Sequence, residues 1–300
     1  MIAFETVPPR LRHDFHYCHA IAREREGELL LRSQFVSRRV RPCWDAIFAF
    51  MWTAQDFVGL KDRDDDFKLQ LVDDWARRLD LARGGHADHP IFRALAHVLA
   101  VTLLPERWLH ELLIALRMDI TNRRHANLPD LLDYCRFGAN PLGRMILHLG
   151  HEVSWAEGVP ETDKERHSDA LWSAMRLTCL WRDVGRYTRP DAPIYLPLEE
   201  MDHFGVTEEM VLARRYTPML GSLLVHLTDR TRVLFFEGEP LLAQVAWPLR
   251  LELAAAMERG LAILDRIEAC GGNILRNRPV LTQQERLSCL WRAFGRGAAG

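Results

Sequence analysis

The sequence has almost no lysine and no signature of nucleotide binding. Of its 39 basic residues only three are lysines (Lys61, Lys68 and Lys164), and the other 36 are arginines. Neither G-x-G-x-x-G nor a P-loop is present, which disfavours a nucleotide-binding protein. With 41 acidic residues the net charge is −2, and this balance argues against a broad basic surface for nucleic acid. The excess of arginine over lysine reflects either the base composition of the genome or a need for side chains that bind planar anions such as carboxylate and phosphate.

Signals for disulfides, secretion and membrane insertion are lacking as well. The six cysteines are scattered without a C-x-x-C pair, so we expect buried thiols in a reducing compartment. The first residues lack a basic segment followed by an apolar run, and no signal peptide is expected. No window of 18 uncharged apolar residues occurs, so we expect no membrane span. These absences together predict a cytoplasmic protein.

Helical spacing of apolar residues dominates the chain, and candidate strands are hard to find. There is no repeat of 20–50 residues and no low-complexity linker. We predict an all-α fold in one domain over residues 1–300, with its core at about 15–295. The predicted helices, separated by proline and glycine, cover 15–31, 36–58, 66–83, 89–101, 105–124, 128–153, 165–188, 207–237 with a break near Pro218, 240–268 and 282–294.

Two of these helices are apolar on most sides, over residues 36–58 and 131–153, which is typical of the centre of a helical bundle. Bundle centres are where all-α proteins form ligand cavities. A cavity that processes a diphosphate needs facing carboxylates that hold magnesium. The core helices offer Asp56, at the end of one, and Asp183, in the middle of another. The acidic run at 62–66 is instead expected to cap the next helix.

Around these two acids the chain resembles the squalene/phytoene synthase family. The resemblance covers more than four fifths of the chain in the same order and includes FAFMWTAQDF (48–57), LRMDITNRR (116–124), DLLDYCRFGANPLGRMILHL (130–149), MRLTCLWRDVGRY (175–187), IYLPLEEMDHFGV (194–206) and the block at 248–281. The stretch at 140–144 and the C-terminal block look most like the hopanoid-pathway branch, which turns presqualene diphosphate into hydroxysqualene.

The resemblance implies an isoprenoid-synthase-type helical bundle around a central cavity. It implies Mg²⁺-dependent chemistry on a prenyl diphosphate or another isoprenoid lipid, with companion enzymes of the squalene pathway as candidate partners. Asp56, Asp183 and Tyr134 are then the expected catalytic residues, with Asp183 as a metal ligand, and Asn140 keeps a matching substrate-side position. Lipid substrates would also allow a peripheral contact with the inner membrane.

Most metal-ligand positions of the family are substituted here. The first motif, normally D-D-x-x-D, keeps only its middle acid, Asp56. The second, normally N-x-x-x-D-x-x-x-D, keeps only Asp183. The residues that replace ligands are Gln55, Gly59, Cys179 and Tyr187. Since Mg²⁺ requires carboxylate oxygens and binds thiols poorly, the family implies Mg²⁺ while these substitutions argue against it.

Arginine and tryptophan offer another way to build the site. Guanidinium groups can hold a leaving diphosphate without a metal, and the candidates are Arg124, Arg144, Arg182 and Arg186. Aromatic rings can shield a carbocation; Trp52 and Trp181 are the candidates, although core packing explains such rings equally well. Two functions stay open: an enzyme that makes hydroxysqualene, and a pseudoenzyme that keeps the fold to bind a lipid or a partner.

Overall fold

Short polar side chains begin several of the helices. The computed structural model describes residues 7–24, 40–150, 161–186, 193–245, 247, 249–275 and 278–298. Asp64 accepts a hydrogen bond from the backbone N–H of Phe67 at 2.8 Å, which confirms that the acidic run caps a helix. Asn127 caps the helix Leu128–Gly138 in the same way, through the N–H of Asp130 at 3.0 Å.

The described residues form fourteen α-helices, which confirms the all-α prediction. In chain order they are α1 (Arg12–Glu24), α2 (Arg41–Val58), α3 (Asp65–Arg83), α4 (Pro90–Thr102), α5 (Arg107–Thr121), α6 (Leu128–Gly138), α7 (Asn140–Leu149), α8 (Glu161–Arg182), α9 (Leu198–His203), α10 (Glu208–Leu212), α11 (Pro218–Gly238), α12 (Leu241–Gln244), α13 (Leu249–Ala269) and α14 (Gln283–Ala298).

Some predicted boundaries are wrong. The helix expected over 128–153 breaks at Ala139, whose ψ of −48° is paired with a φ of −138°. Pro141 explains the break, because its ring lacks an N–H and clashes with the preceding helical turn. The segment 240–268 is divided as well, and α9 was not predicted, since six residues give almost no periodic signal. The break predicted near Pro218 is confirmed, because α10 ends at Leu212 and α11 begins at Pro218.

Helix α8 is the centre of the bundle. It packs against α6, α7, α11 and α13, and its residues Leu171, Trp172 and Leu177 belong to one continuous hydrophobic core. Glycine allows the close approach of α7: a Cβ added at Gly143 would lie 2.3 Å from the Trp172 ring. Among the described residues the only β-type pairing is an isolated bridge between Arg124 and Ile194. None of the helices described is both long enough and apolar enough to cross a bilayer.

Candidate functional site

A cavity of about 260 Å³ lies between α2, α5, α6 and α8. Most of its wall is apolar, and charged side chains are contributed mainly by the last turns of α8 and the residues beyond it. The apolar wall includes Met51, Trp52, Leu112, Ala115, Leu116, Leu142, Trp172 and Met175. The charged and polar lining consists of Gln55, Asp119, Tyr134, Arg176, Cys179, Arg182, Asp183, Arg186 and Arg278. An apolar cavity with a few converging polar groups is the usual form of a ligand site.

Three arginines surround the carboxylate of Asp183. Arg278 donates from Nε to Oδ1 and from Nη2 to Oδ2, the latter at 3.1 Å. Arg182 donates from Nη2 to Oδ2 at 2.9 Å, and Nε of Arg186 lies 3.6 Å from Oδ1. We call Arg182, Arg186 and Arg278 the arginine cluster. Three guanidinium groups thus share one carboxylate.

The electrostatics of Asp183 follow from this arrangement. Burial by itself would raise the pKa of the carboxyl, but the hydrogen bond from Arg278 and the charge of Arg182 outweigh it, and the pKa is lower than usual. Asp183 is therefore ionised and satisfied by cations that belong to the protein.

A second polar group lies deeper, around Asp119. Tyr195 donates its hydroxyl to Oδ1 of Asp119 at 2.6 Å, and Tyr134 donates to Oδ2 at 3.3 Å. Arg176 donates from Nη2 to the Tyr134 oxygen at 2.5 Å, and its guanidinium carbon lies 5.5 Å from the centre of that ring. These four residues form what we call the tyrosine cluster.

Burial dominates the titration of this cluster. It raises the pKa of Asp119, although Arg176 and the two tyrosine hydroxyls oppose the shift. It also raises the pKa of Tyr134, so that the phenol stays protonated at neutral pH. Nε of Arg176 is buried and has no hydrogen-bond partner among the described residues.

Seven of the residues singled out from the sequence line the cavity: Trp52, Gln55, Tyr134, Cys179, Arg182, Asp183 and Arg186. The structure adds Arg176 and Arg278, which the sequence reasoning missed. Arg176 could have been found, because positions 176, 179 and 183 follow helical i, i+3, i+7 spacing and share one face. Arg278 had no such signal, since it lies 95 residues from Asp183 along the chain.

The expectation that Asp56 faces Asp183 across the cavity is wrong. Asp56 is exposed and does not line the cavity. On α2 the inward stripe is formed by Met51, Trp52 and Gln55, and the residue after Gln55 is rotated by about 100° around the helix axis. Gly59, the other outer position of the first motif, is exposed at the end of α2. Tyr187 lies outside the described residues.

Two of the predicted anion-binding arginines, Arg124 and Arg144, do not line the cavity. Arg124 binds both carboxylate oxygens of Glu208, at 2.6 and 2.7 Å. Arg144 binds both oxygens of Asp169, at 3.1 and 2.5 Å. Arg278 is also bidentate to a carboxylate, but it lines the cavity, whereas Arg124 and Arg144 do not.

Asn140 and Trp181 are also placed away from the cavity lining, contrary to the expectation. The buried side-chain oxygen of Asn140 accepts a hydrogen bond from Ser173 at 3.0 Å and joins α7 to α8. Trp181 is fully buried, and its indole N–H donates to the hydroxyl of Thr231 at 2.8 Å, towards α11. Trp181 is thus a core residue whose polar atom is satisfied, whereas Trp52 lines the cavity.

The side chains of the cavity do not fit magnesium. The charged lining contains four arginines and two aspartates, so a divalent cation would enter a field that is already positive. Asp183 is engaged by the arginine cluster, and Asp119 accepts from tyrosines. The amide of Gln55 and the thiol of Cys179 are poor ligands for this ion. The only His, Cys, Asp and Glu triad with metal-like spacing among the described residues is Asp80, Glu106 and His110, none of which lines the cavity.

Comparison with known proteins gives consistent matches. The family model "Squalene/phytoene synthase" matches residues 22–285. The chain is 29% identical to a hydroxysqualene synthase of Rhodopseudomonas palustris, over 88% of this chain and 84% of that protein. It is 26% identical to a hydroxysqualene synthase of Sinorhizobium fredii, over 92% and 94%.

Solved structures show the same fold. A squalene synthase from Alicyclobacillus acidocaldarius superposes with a TM-score of 0.76 at 30% identity, covering 89% of this chain and 98% of that one. A dehydrosqualene synthase crystallised with a ligand superposes with a TM-score of 0.82 at 23% identity, covering 97% and 99%. With a family match over residues 22–285 and the fold of these enzymes, the chain belongs to the squalene/phytoene synthase family.

Proposed function

We propose that this chain binds a prenyl diphosphate in the cavity and turns presqualene diphosphate into hydroxysqualene. The observation that carries the proposal is the arginine cluster at the charged end of an otherwise apolar cavity. The diphosphate would lie on Arg182, Arg186 and Arg278, and the hydrocarbon along the wall formed by Trp52 and its apolar neighbours. The relatives that are named hydroxysqualene synthases support this choice of reaction.

Guanidinium groups are suited to the role that the family gives to metal ions. Each guanidinium is planar, permanently charged and able to donate two parallel hydrogen bonds to phosphate oxygens. The arginine cluster would attract a diphosphate, which then shares the donors of Arg278 and Arg182 with the carboxylate of Asp183. Asp183 serves in this proposal as the counter-ion that holds the arginines together before the substrate arrives.

The reaction needs no group beyond substrate, water and protein. The carbon–oxygen bond to the diphosphate breaks, the diphosphate leaves with the electron pair, and the arginine cluster stabilises its charge. The cyclopropylcarbinyl cation rearranges against apolar walls, where the Trp52 ring can stabilise it. A water oxygen then forms the new bond to carbon and releases one proton. Asp119 would accept this proton, because its carboxylate lines the cavity and is held in place by the hydroxyls of Tyr134 and Tyr195.

A specific observation favours a second candidate, binding without turnover. Asp183 is already neutralised by protein cations, and no carboxylate on α2 lines the cavity. Without a metal the ionisation step depends on arginines alone. The same cavity would then bind an isoprenoid lipid, or serve a partner enzyme of the squalene pathway. A peripheral contact with the inner membrane fits either candidate because the ligands are lipids.

Calorimetry and product analysis separate the candidates. Purified protein is titrated with farnesyl diphosphate in EDTA and in Mg²⁺, then incubated with presqualene diphosphate, and the organic phase is analysed for hydroxysqualene. We expect binding in EDTA, weakened at least tenfold by Arg278→Gln and unchanged in Arg77→Gln, a control at an exposed arginine of α3. Binding with product supports the enzyme. Binding without product supports the second candidate, and failure to bind in either buffer overturns both.

A further inference from the structure

The last helix carries an apolar face that the bundle leaves uncovered. On α14, Leu287 is 59% exposed, Trp291 76% and Phe294 41%, and Trp247 beside them is 51% exposed. The rings of Trp247 and Phe294 are 5.7 Å apart between centres, and those of Trp291 and Phe294 are 6.3 Å apart. We call these four residues the aromatic patch. Single exposed apolar residues are ordinary, whereas a contiguous group of them marks an interaction site.

The opposite face of α14 fixes the helix to the bundle. Cys289 and Ala293 are buried, and α14 packs along α13. Arg292 donates to Glu258 at 2.6 Å, and Arg296 also binds Glu258. Because these contacts hold the inner face, positions 287, 291 and 294, with i, i+4, i+7 spacing, must point outward. The patch is therefore a fixed feature of the folded chain.

The chemistry of α14 selects one class of partner. The helix contains three arginines and one glutamate, a net charge of +2, and Arg286 is exposed next to Leu287. Tryptophan and arginine on an amphipathic helix are the combination found where proteins lie in the interface of a bilayer. Arg292 and Arg296 are ion-paired with Glu258, so Arg286 is the cation at the edge of the patch that an anionic lipid surface would attract.

We propose that the aromatic patch docks α14 onto the surface of an anionic bilayer, with the helix axis in the plane of the membrane. Trp247, Trp291, Leu287 and Phe294 enter the interface, and Arg286 lies at the level of the headgroups. The inner face stays on α13, so the bundle itself remains outside the membrane.

This inference does not depend on the proposed function, but it fits with it. Arg278 lines the cavity and precedes the first residue of α14 by only five positions. A bilayer contact through α14 would thus be covalently close to the charged end of the cavity, where a lipid ligand has to enter or leave.

Vesicle sedimentation tests the docking surface. Full-length protein is mixed with phosphatidylcholine vesicles, and with vesicles containing about a third phosphatidylglycerol, at two salt concentrations. We expect the protein to sediment with the anionic vesicles and less at high salt. Leu287→Ser with Trp291→Ser should lower the partition coefficient at least tenfold, and Arg286→Gln should lower it only for anionic vesicles. Leu103→Ser, at a 73% exposed leucine on the C-terminal side of α4, is the matched control.

Two results would overturn the inference. One is protein that stays in the supernatant with both kinds of vesicle. The other is a double variant that sediments as well as the wild type. Light scattering adds a competing outcome: a dimer that the double variant abolishes, together with no vesicle binding, would assign the patch to a contact between two copies. Circular dichroism and farnesyl diphosphate binding show whether the variants are folded, and binding to that ligand tests the proposed function separately.

Discussion

Arg278 and Asp183 form a two-point hydrogen-bonded ion pair across 95 residues of sequence, at the charged end of the cavity. A carboxylate that serves as a metal ligand contacts a cation from solution. Here it points at cations of its own chain. The assignment of Asp183 as metal ligand or as counter-ion therefore leads to opposite expectations for its removal.

We expect Asp183→Asn to increase the affinity for inorganic diphosphate in EDTA by about tenfold, because the variant removes the negative charge that competes with the anion for donors of Arg278 and Arg182. If Asp183 were a metal ligand, the same change would lower affinity in Mg²⁺ and leave it unaltered in EDTA. Titration calorimetry in both buffers distinguishes the two, with Asp74→Asn on the exposed part of α3 as the control.

Asp183→Asn should also lower the free energy of unfolding, by an amount that depends on pH. Removing one partner of a mostly buried ion pair typically costs about 3 kcal/mol. Since the pKa of Asp183 is lower in the folded chain, its contribution is fully present above the unfolded pKa of about 3.9 and is lost as pH falls through the folded pKa. Urea unfolding of both proteins should give a constant difference between pH 5 and 7. A difference that instead grows towards acid would contradict the assigned role.

Tyr195→Phe should alter the acid–base behaviour of the tyrosine cluster. The hydroxyl lost is the donor at 2.6 Å from Asp119, and burial then raises the pKa of that carboxyl further. A proton acceptor with a higher pKa moves the acidic limb of the rate profile towards alkaline pH. If the enzyme is active, this limb in kcat should shift upward by about one unit, or about 1.4 kcal/mol. If the acidic limb of the kcat profile does not shift while the variant is less stable, Tyr195 has a structural role only.

Restoring carboxylates tests why the site lacks a metal. Gln55→Asp, Gly59→Asp and Tyr187→Asp together return the acids of the two motifs, and position 59 has room, since an added Cβ would meet only the Asp56 backbone oxygen at 3.5 Å. We expect Mg²⁺ to strengthen diphosphate binding to this variant by at least tenfold and to have no effect on the wild type. A wild type that already responds to Mg²⁺ would show that the present side chains suffice.

Trp52→Ala should weaken binding of the hydrocarbon part of the ligand without weakening binding of its diphosphate. Trp52 belongs to the apolar wall, whereas the arginine cluster receives the diphosphate. Truncating a large side chain that contacts a hydrocarbon should weaken farnesyl diphosphate binding by about 2 kcal/mol and leave inorganic diphosphate unaffected. Trp181→Phe, in the core beside Thr231, should lower stability without this selective loss. Equal losses for both ligands would place Trp52 outside the hydrocarbon site.

The sequence by itself determined the class of fold, the approximate helices and the family. Apolar residues at helical spacing specify which face of each helix is buried, and proline, Asp64 and Asn127 specify where helices stop and start. These are local properties, so they can be predicted from the chain alone. The helices that were missed or merged were short or broken by a single residue, where local signals are weakest.

Only the tertiary structure decided which polar residues share a cavity. Asp56 and Trp181 lie next to, or within one turn of, cavity-lining residues in sequence, yet one is exposed and the other faces α11, because a helix rotates successive side chains by about 100°. Arg278 joins Asp183 only because the chain returns to the end of α8 after α13. Helical periodicity is a local property, but the partner of a charged group depends on how distant helices pack. Arg182 and Arg186 were candidates from the sequence, but the third member of the arginine cluster, Arg278, could be recognised only in the folded chain.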